Sequence, residues 1–572
     1  MTYDKKFKKW LNEPTLPKYL QNELLSMDEK TKEDAFYTNL EFGTAGMRGL
    51  IGAGTNRINI FVVRQATNGL AQLIEEKGLE AKNRGVAIAY DSRHFSYEFA
   101  KDAASVLAYH GIKSYLFESL RPTPELSFAV RHLNAVAGIM ITASHNPAPF
   151  NGYKVYGEDG GQMPPADADS LTNYIRAIDN PFKIAIADFE AQKTNGLIQI
   201  IAEDIDSEYL KKVKTVTINQ QLIDKYGKDM KIVYTPLHGT GEMLARRALA
   251  QAGFESVAIV ESQATADPEF STVKSPNPES QAAFAHAEKL GDEIGADVLI
   301  ATDPDADRLG VEIRLPDGSY QNLSGNQIGA LMAKYILEAH KQAGTLPDNA
   351  ALAKSIVSTE LVTKIAESYN ATMFNVLTGF KFIAEKIQEF EDFGKYTYMF
   401  GFEESFGYLV KPFVRDKDAI QAVLLIAEIA AYYRSRGLTL ADGIAEIYQE
   451  YGYFSEKTIS IELSGVDGAN QIKAIMNKFR ENTPTTFNQI AILKIEDFKK
   501  QTATDSDGNV TSLLTPQSDV LKYTLADDSW FAIRPSGTEP KIKLYISTVG
   551  NTLEDTKAKI DAIEAEIKSF IS

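Results

Sequence analysis

The chain has 572 residues, 44% of them hydrophobic and 24% charged, with a formal net charge of −17. That length predicts about four domains at ~150 residues each. The acidic balance argues against nucleic acid as a main partner, but leaves room for a small anion in a locally basic pocket. The lack of any cysteine excludes disulfides, thiolate metal sites and a cysteine nucleophile.

Met1 to Phe7 has no apolar run behind its charges, so it does not read as a secretory signal. No apolar stretch reaches membrane-spanning length. The nearest, Ala419 to Tyr433, is interrupted by Gln421 and Glu428 and reads as a buried helix. A cytoplasmic location is expected, with no membrane partner.

In chain order, the first ~40 residues are polar and helix-permissive, with Phe7, Trp10 and Tyr19 placed to pin a helical wrap onto the body. In Glu41 to Gly49, three glycines free the backbone to approach a ligand and Arg48 supplies a fixed charge. Val86 to Tyr90 reads as a strand entering the polar turn Asp91-Ser92-Arg93, with a helix from about Tyr97. The same grammar recurs at Lys231 to Tyr234 and at Ser355-Ile356-Val357, which suggests three α/β units of related design. From about Tyr451 strands dominate, turned at Ser506 to Asn509 and Asp527 to Ser529. An amphipathic helix from Leu553 closes the chain, with Ile560, Ile563, Ile567 and Phe570 on one face. The expected fold is α/β in four domains: three related α/β units with mixed sheets (1–205, 206–322, 323–450) and a C-terminal α+β domain (451–572).

Four segments carry chemistry. Thr142-Ala143-Ser144-His145-Asn146-Pro147 follows the apolar run Val136 to Ile141, at the strand edge where α/β proteins place ligands. Ser144 reads as the carrier of a phosphoryl group, against the blander reading of a turn serine bonding backbone. Asp303, Asp305 and Asp307 set three carboxylates in five residues around Pro304. All-oxygen ligands select a hard cation, and Mg²⁺ suits them. An EF-hand fails, since its turn glycine would fall on Arg308 and its closing glutamate on Arg314. Gly401 to Tyr408 offers Glu403, Glu404 and Ser405 as partners for sugar hydroxyls. Arg534-Pro535-Ser536-Gly537-Thr538 has the inventory of a phosphate cradle. Lys154 could move a proton, although most lysines simply sit on a surface. No Walker-type loop is present, which argues against nucleotide hydrolysis.

In this order and over nearly the whole chain, the four loops resemble those of the α-D-phosphohexomutase superfamily. Asp267 to Glu279 also resembles a stretch of that family's second domain. The resemblance implies that Ser144 is a phosphoserine and that Asp303, Asp305 and Asp307 bind one Mg²⁺ together with it. It implies that Glu403 and Ser405 hold sugar hydroxyls and that Arg534, Ser536, Gly537 and Thr538 hold the non-reacting phosphate. Arg48, His145, Lys154, Arg308, Thr378, Gly379, Lys381 and Lys417 match positions near the reacting groups. Hexose phosphates are the implied partners, and glucose 1,6-bisphosphate is the implied activator and intermediate. Two departures stand out: many members have glycine where Ala306 stands, and many have glycine where Phe402 precedes the glutamate pair. The expected reaction interconverts glucose 1-phosphate and glucose 6-phosphate. The alternatives are the same chemistry on mannose or pentose phosphates, a Mg²⁺ phosphatase, and a non-catalytic phosphosugar-binding regulator.

Overall fold

A computed structural model of the chain describes residues 2–43, 46–463, 468–535 and 541–571. It divides into two units. The first comprises Met1–Gly325, Ala384–Asp392 and Ser405–Thr439, and the second Asn326–Ile383, Phe393–Glu404 and Leu440–Ser572.

In the first unit, helices Tyr3–Leu11, Lys18–Ser26 and Glu29–Phe36 form the expected wrap. Phe7, Trp10 and Phe36 are buried against Phe61, and Trp10 meets Phe182 edge-on at 5.1 Å. Six strands follow in the spatial order Met47–Leu50, Phe150–Tyr156, Ala137–Ile141, Val86–Tyr90, Ser114–Phe117, Ile198–Ile201. Val86–Tyr90 and Ala137–Ile141 are buried at every residue, which explains their unbroken apolar sequence. Phe150–Tyr156 returns antiparallel beside Ala137–Ile141, so Lys154 pairs with Met140 and faces the end of that strand.

A second sheet in the same unit has the order Tyr320–Asn322, Leu309–Arg314, Val298–Thr302, Ile232–Thr235, Val257–Ile259. The turn at 316–319 joins Leu309–Arg314 to Tyr320–Asn322 as expected, with Asp317 Oδ1 accepting from Ser319 N. Helix Ala419–Ser435 is buried almost throughout. Its polar interruptions are satisfied: Glu428 accepts from the amides of Ile218 and Asn219, and Gln421 bonds the backbone of Lys411.

In the second unit, Ala350–Ser355 lies between the parallel strands Thr372–Val376 and Thr397–Glu403. The expected strand at Ser355-Ile356-Val357 is displaced: the strand is Ala350–Ser355, and Ile356 and Val357 lie beyond its end. There they pack with Leu377, Val520, Trp530, Ala532 and Tyr545, which joins this sheet to the C-terminal one. The C-terminal sheet is antiparallel, in the order Tyr453–Glu462, Lys541–Gly550, Trp530–Pro535, Leu521–Leu525, Ile490–Asp497, Thr502–Asp505, Val510–Ser512. Its core includes Ile560, Ile563 and Ile567 of the closing helix Leu553–Ile571.

The three α/β sheets share one pattern. In each, the first parallel strand is central, the second lies on one side and the third on the other. The third strands are Ala137–Ile141, Val298–Thr302 and Thr397–Glu403. The serine, aspartate and glutamate segments each begin at the carboxyl end of one of them.

Candidate active site

Ser144 has φ +51°, a left-handed conformation that costs a non-glycine residue about 1 kcal/mol or more. Thr142 Oγ1 accepts its amide at 2.8 Å, and its hydroxyl donates to Asp303 Oδ2 at 2.8 Å. His145 Nδ1 lies 3.3 Å from the same hydroxyl. Burial, with Arg308 and Arg48 nearby, keeps that imidazole neutral by holding its pKa well below the ordinary value. Arg48 donates to Asn146 Oδ1 at 2.8 Å from the far side of the loop.

The aspartate loop is buried, with one oxygen from each of Asp303, Asp305 and Asp307 within 4.8 Å of the others. The loop is bound by its own backbone, since Asp303 Oδ1 accepts from the amides of Asp307 and Arg308. Ala306, where glycine was noted as common, has φ +47°, so the preference for glycine follows from the backbone. Gly239 has a different reason: a Cβ there would stand 2.4 Å from Pro304 Cα, beneath the loop.

Two ammonium groups face this cluster. Lys154 Nζ is 2.9 Å from Asp305 Oδ2 and 3.9 Å from Asp307. Lys417 Nζ is 3.1 Å from Asp307 and 2.9 Å from Asp416. The lysine stem crosses Gly407, where a Cβ would fall 2.1 Å from Lys417 Cδ. Burial alone would raise Asp305, but the Lys154 charge overrides it and holds that carboxyl well below the usual range. Burial and the neighbouring aspartates push Asp303 and Asp307 up. Asp305 Oδ1 and Asp307 Oδ1 are buried and accept no hydrogen bond. A hard cation fits this set: two free carboxylate oxygens, a third carboxylate and a serine oxygen. Among the described residues, no other group of three metal-binding side chains was found.

Several residues of this site were not anticipated from sequence. Thr123, at the start of helix Thr123–His132, donates its amide to the Asp305 carbonyl at 2.9 Å and its hydroxyl to Asp305 Oδ2 at 3.0 Å. The flanking Pro122 and Pro124 were the available signal for a helix start. Asp416 accepts from Tyr156, Gln162 and Lys417 and so fixes the lysine. Glu279 takes Arg308 at 2.6 Å.

The second unit gathers another set. Glu403 Oε1 accepts the Gly379 amide at 2.7 Å, bringing the expected sugar ligand Glu403 beside a residue expected near the reacting groups. Glu404 turns away to Ser355 and Ser358, whose hydroxyls reach its Oε2 at 2.8 and 3.3 Å. Phe402 is buried and stacked on Phe400, and Gly329 leaves room for its ring, since a Cβ there would fall 2.7 Å from it. Thr378 precedes Gly379, and Lys381 is buried with its ammonium over Phe382. Arg534 lies near the end of strand Trp530–Pro535, opposite Lys543 and close to Tyr545. Ser405, in the first unit, precedes Phe406, whose φ is +64°. Ser536, Gly537 and Thr538 lie outside the described residues, as do Thr44 and Ala45 of the glycine-rich segment.

Comparison with known proteins places the chain in a family. Four descriptions match in order: phosphoglucomutase/phosphomannomutase alpha/beta/alpha domain I over residues 39–182, domain II over 207–315, domain III over 324–451, and the C-terminal domain over 486–565. A phosphoglucomutase of Staphylococcus aureus is 40% identical over 534 residues, 93% of this chain and 94% of its own. One from Staphylococcus epidermidis is 41% identical over 519 residues, 90% of this chain and 92% of its own. Among solved structures, Paramecium parafusin superposes with a TM-score of 0.66 at 18% identity, covering 94% of each chain. A Burkholderia thailandensis protein of the phosphoglucomutase/phosphomannomutase family gives 0.65 at 17% identity, covering 93% of this chain and 98% of that one. With all four of its domains matched in order, the chain belongs to the phosphoglucomutase/phosphomannomutase family.

Proposed function

We propose that the chain interconverts α-D-glucose 1-phosphate and D-glucose 6-phosphate through a phosphoserine at Ser144 and a glucose 1,6-bisphosphate intermediate. The observation that carries this reading is the Ser144 hydroxyl 2.8 Å from Asp303, in a buried three-aspartate cluster. The phosphoglucomutases at 40% identity support it.

In the forward half-reaction the free sugar hydroxyl attacks the phosphorus on Ser144, the bond from Ser144 Oγ to phosphorus breaks, and the hydroxyl proton ends on Ser144 Oγ. Lys154, whose ammonium stands against Asp305 at the cluster, is assigned the relay: it gives a proton to the leaving Ser144 Oγ and takes the sugar hydroxyl proton in return. A Mg²⁺ ion held by Asp303, Asp305, Asp307 and the serine oxygen would offset charge on the transferring group. Arg48 and Arg308 would face the phosphoryl oxygens, and His145, kept neutral, would orient the serine oxygen without adding charge.

Glu403, aligned by the Gly379 amide, is assigned to the sugar hydroxyls in preference to Glu404, which its two serines already engage. Ser405, Thr378, Lys381 and Lys417 would complete the polar contacts to sugar and phosphate. Arg534 would take the phosphate that does not react, with Ser536, Gly537 and Thr538 beside it in sequence.

The test is ³¹P NMR of glucose 1-phosphate with the protein, Mg²⁺ and trace glucose 1,6-bisphosphate. Glucose 6-phosphate is the expected product, and Ser144→Ala should abolish it while leaving the fold intact. Free phosphate alone would instead mark a phosphatase. No reaction on glucose with turnover of mannose or pentose phosphates would move the sugar assignment.

A further inference from the structure

Arg93 belongs to none of the four loops, yet it grips the serine loop more extensively than any residue discussed so far. One guanidinium nitrogen, Nη1, donates to the carbonyls of Pro147 and Phe150 at 2.9 Å each. The other, Nη2, donates to the Ser144 carbonyl at 2.5 Å and to the Asn146 carbonyl. Four backbone acceptors within seven residues therefore converge on one planar fork. The side chain is 3% exposed.

The fork is itself held on its other sides. Asp91 Oδ2 lies 3.2 Å from Arg93 Nε, and Asp91 Oδ1 accepts both the Arg93 amide and the Ser96 hydroxyl. From the second sheet's part of the chain, the Phe270 ring lies against the guanidinium at 4.9 Å, in a left-handed backbone at φ +48°. The same segment donates Ser275 Oγ to the His145 carbonyl at 3.1 Å, while Glu269 meets His94 at 2.6 Å. Arg93, on the turn that follows Val86–Tyr90, thus has its guanidinium packed between the serine loop and the segment 267–279.

This arrangement answers a question the serine raises. A left-handed Ser144 persists only where its surroundings over-determine the backbone. Thr142 accepts the strained residue's own amide, and Arg93 donates to its carbonyl. A lysine could not replace the fork, because its compact ammonium has three donors and cannot span four carbonyls in one plane.

We infer that Arg93, braced by Phe270, is a positioning residue that holds Ser144 in its strained, reactive orientation and thereby sets the rate of phosphoryl transfer. Its guanidinium is committed to backbone carbonyls, so its loss should act on transfer and not on sugar capture. The inference rests on the proposed function for its kinetic consequence, but not for its structural one.

The test uses the full chain with Arg93→Lys, which keeps a positive partner for Asp91, and Phe270→Leu, which keeps the arginine. Arg93→Lys should lower kcat about 10- to 100-fold, the penalty of a misplacement near 1 Å, with KM for glucose 1-phosphate within about 3-fold of the parent. Phe270→Leu should lower kcat about 3-fold by loosening the guanidinium. Hydrogen exchange supplies a readout independent of activity: amides of residues 142–151 should exchange faster in Arg93→Lys, while those of 298–302 stay as in the parent. Unchanged kcat, or unchanged exchange over 142–151, overturns the inference. If Arg93→Lys exchanges faster everywhere and so has lost its fold, Phe270→Leu decides by the same two criteria. If the parent protein shows no mutase turnover, the function reading fails, and the exchange experiment alone still decides whether Arg93 clamps the loop.

Discussion

Glu312 offers a sharp test of how burial sets stability in the second sheet. It lies on Leu309–Arg314 with no exposed surface, and neither carboxyl oxygen accepts a hydrogen bond. Burial, reinforced by Glu288, pushes its carboxyl up from 4.5 to about 8. Because the folded value is the higher one, the neutral acid favours the folded chain. That contribution is fully present below about pH 4.5 and is lost as pH rises through about 8. At 1.36 kcal/mol per unit the gap sets a ceiling of roughly 5 kcal/mol, and relaxation around the carboxyl brings a realistic value to about 2–3 kcal/mol. Glu312→Gln keeps the shape and removes the titration. Thermal midpoints of parent and variant would be measured at about pH 5.5, 7 and 8.5. The variant should be the more stable by roughly 2–3 kcal/mol at the highest pH, and that advantage should shrink about threefold at the lowest. An advantage that does not vary with pH, or a variant less stable at about pH 8.5, would refute the reasoning.

The remaining expectations follow from the site. Ala306→Gly should stabilise the aspartate loop by up to about 1 kcal/mol, because it removes a Cβ at φ +47°, and the gain is read as a higher thermal midpoint with activity retained. Thr123→Val removes the hydroxyl that orients Asp305, so about tenfold more Mg²⁺ should be needed for half-maximal turnover, read from a metal titration of the rate. Chelation should abolish turnover and Mg²⁺ should restore it. Saturating Mg²⁺, at about 100 times its Kd, should also add about 2.7 kcal/mol to stability, and Asp305→Asn should lose that increment. Arg534→Ala should raise KM for glucose 1-phosphate about 10- to 100-fold with a smaller effect on kcat, as loss of charge-assisted phosphate bonds predicts.

The residues that carry chemistry were legible because their types are costly elsewhere. Three aspartates in five residues, or a serine and histidine just past the end of a six-residue apolar run, need a reason that an ordinary turn does not supply. The residues that hold them in place were not legible, because their partners lie far along the chain. Arg93 reaches carbonyls 51 to 57 positions away, and Thr123 meets Asp305 across 182. No local pattern encodes such separations, although a charged pair, Asp91 and Arg93, directly after a wholly apolar strand was a signal that could have been weighed. The strand Ala350–Ser355 was misplaced for another reason. Its sequence, Ala-Ala-Leu-Ala-Lys-Ser, has little β-propensity, and burial between two parallel neighbours forms it instead.

The repeated sheet pattern explains why three different chemistries arise at corresponding positions. In a parallel sheet the carboxyl end of a strand opens into a loop whose backbone is not bound by the ladder, and side chains there can converge on a ligand. The serine loop follows the third strand of the first sheet and the aspartate loop the third strand of the second, while Glu403 ends the third strand of the third. Each loop then contains a non-glycine residue held at positive φ: Ser144 at +51°, Ala306 at +47° and Phe406 at +64°. A chain leaving a buried strand must turn sharply to present its side chains, and the left-handed residue makes that turn at a cost the neighbouring hydrogen bonds offset. The three loops can therefore differ in every functional side chain while sharing one backbone device. Substitutions at the left-handed positions should follow backbone rules, and those at Asp303, Glu403 and the serine hydroxyl should follow chemistry.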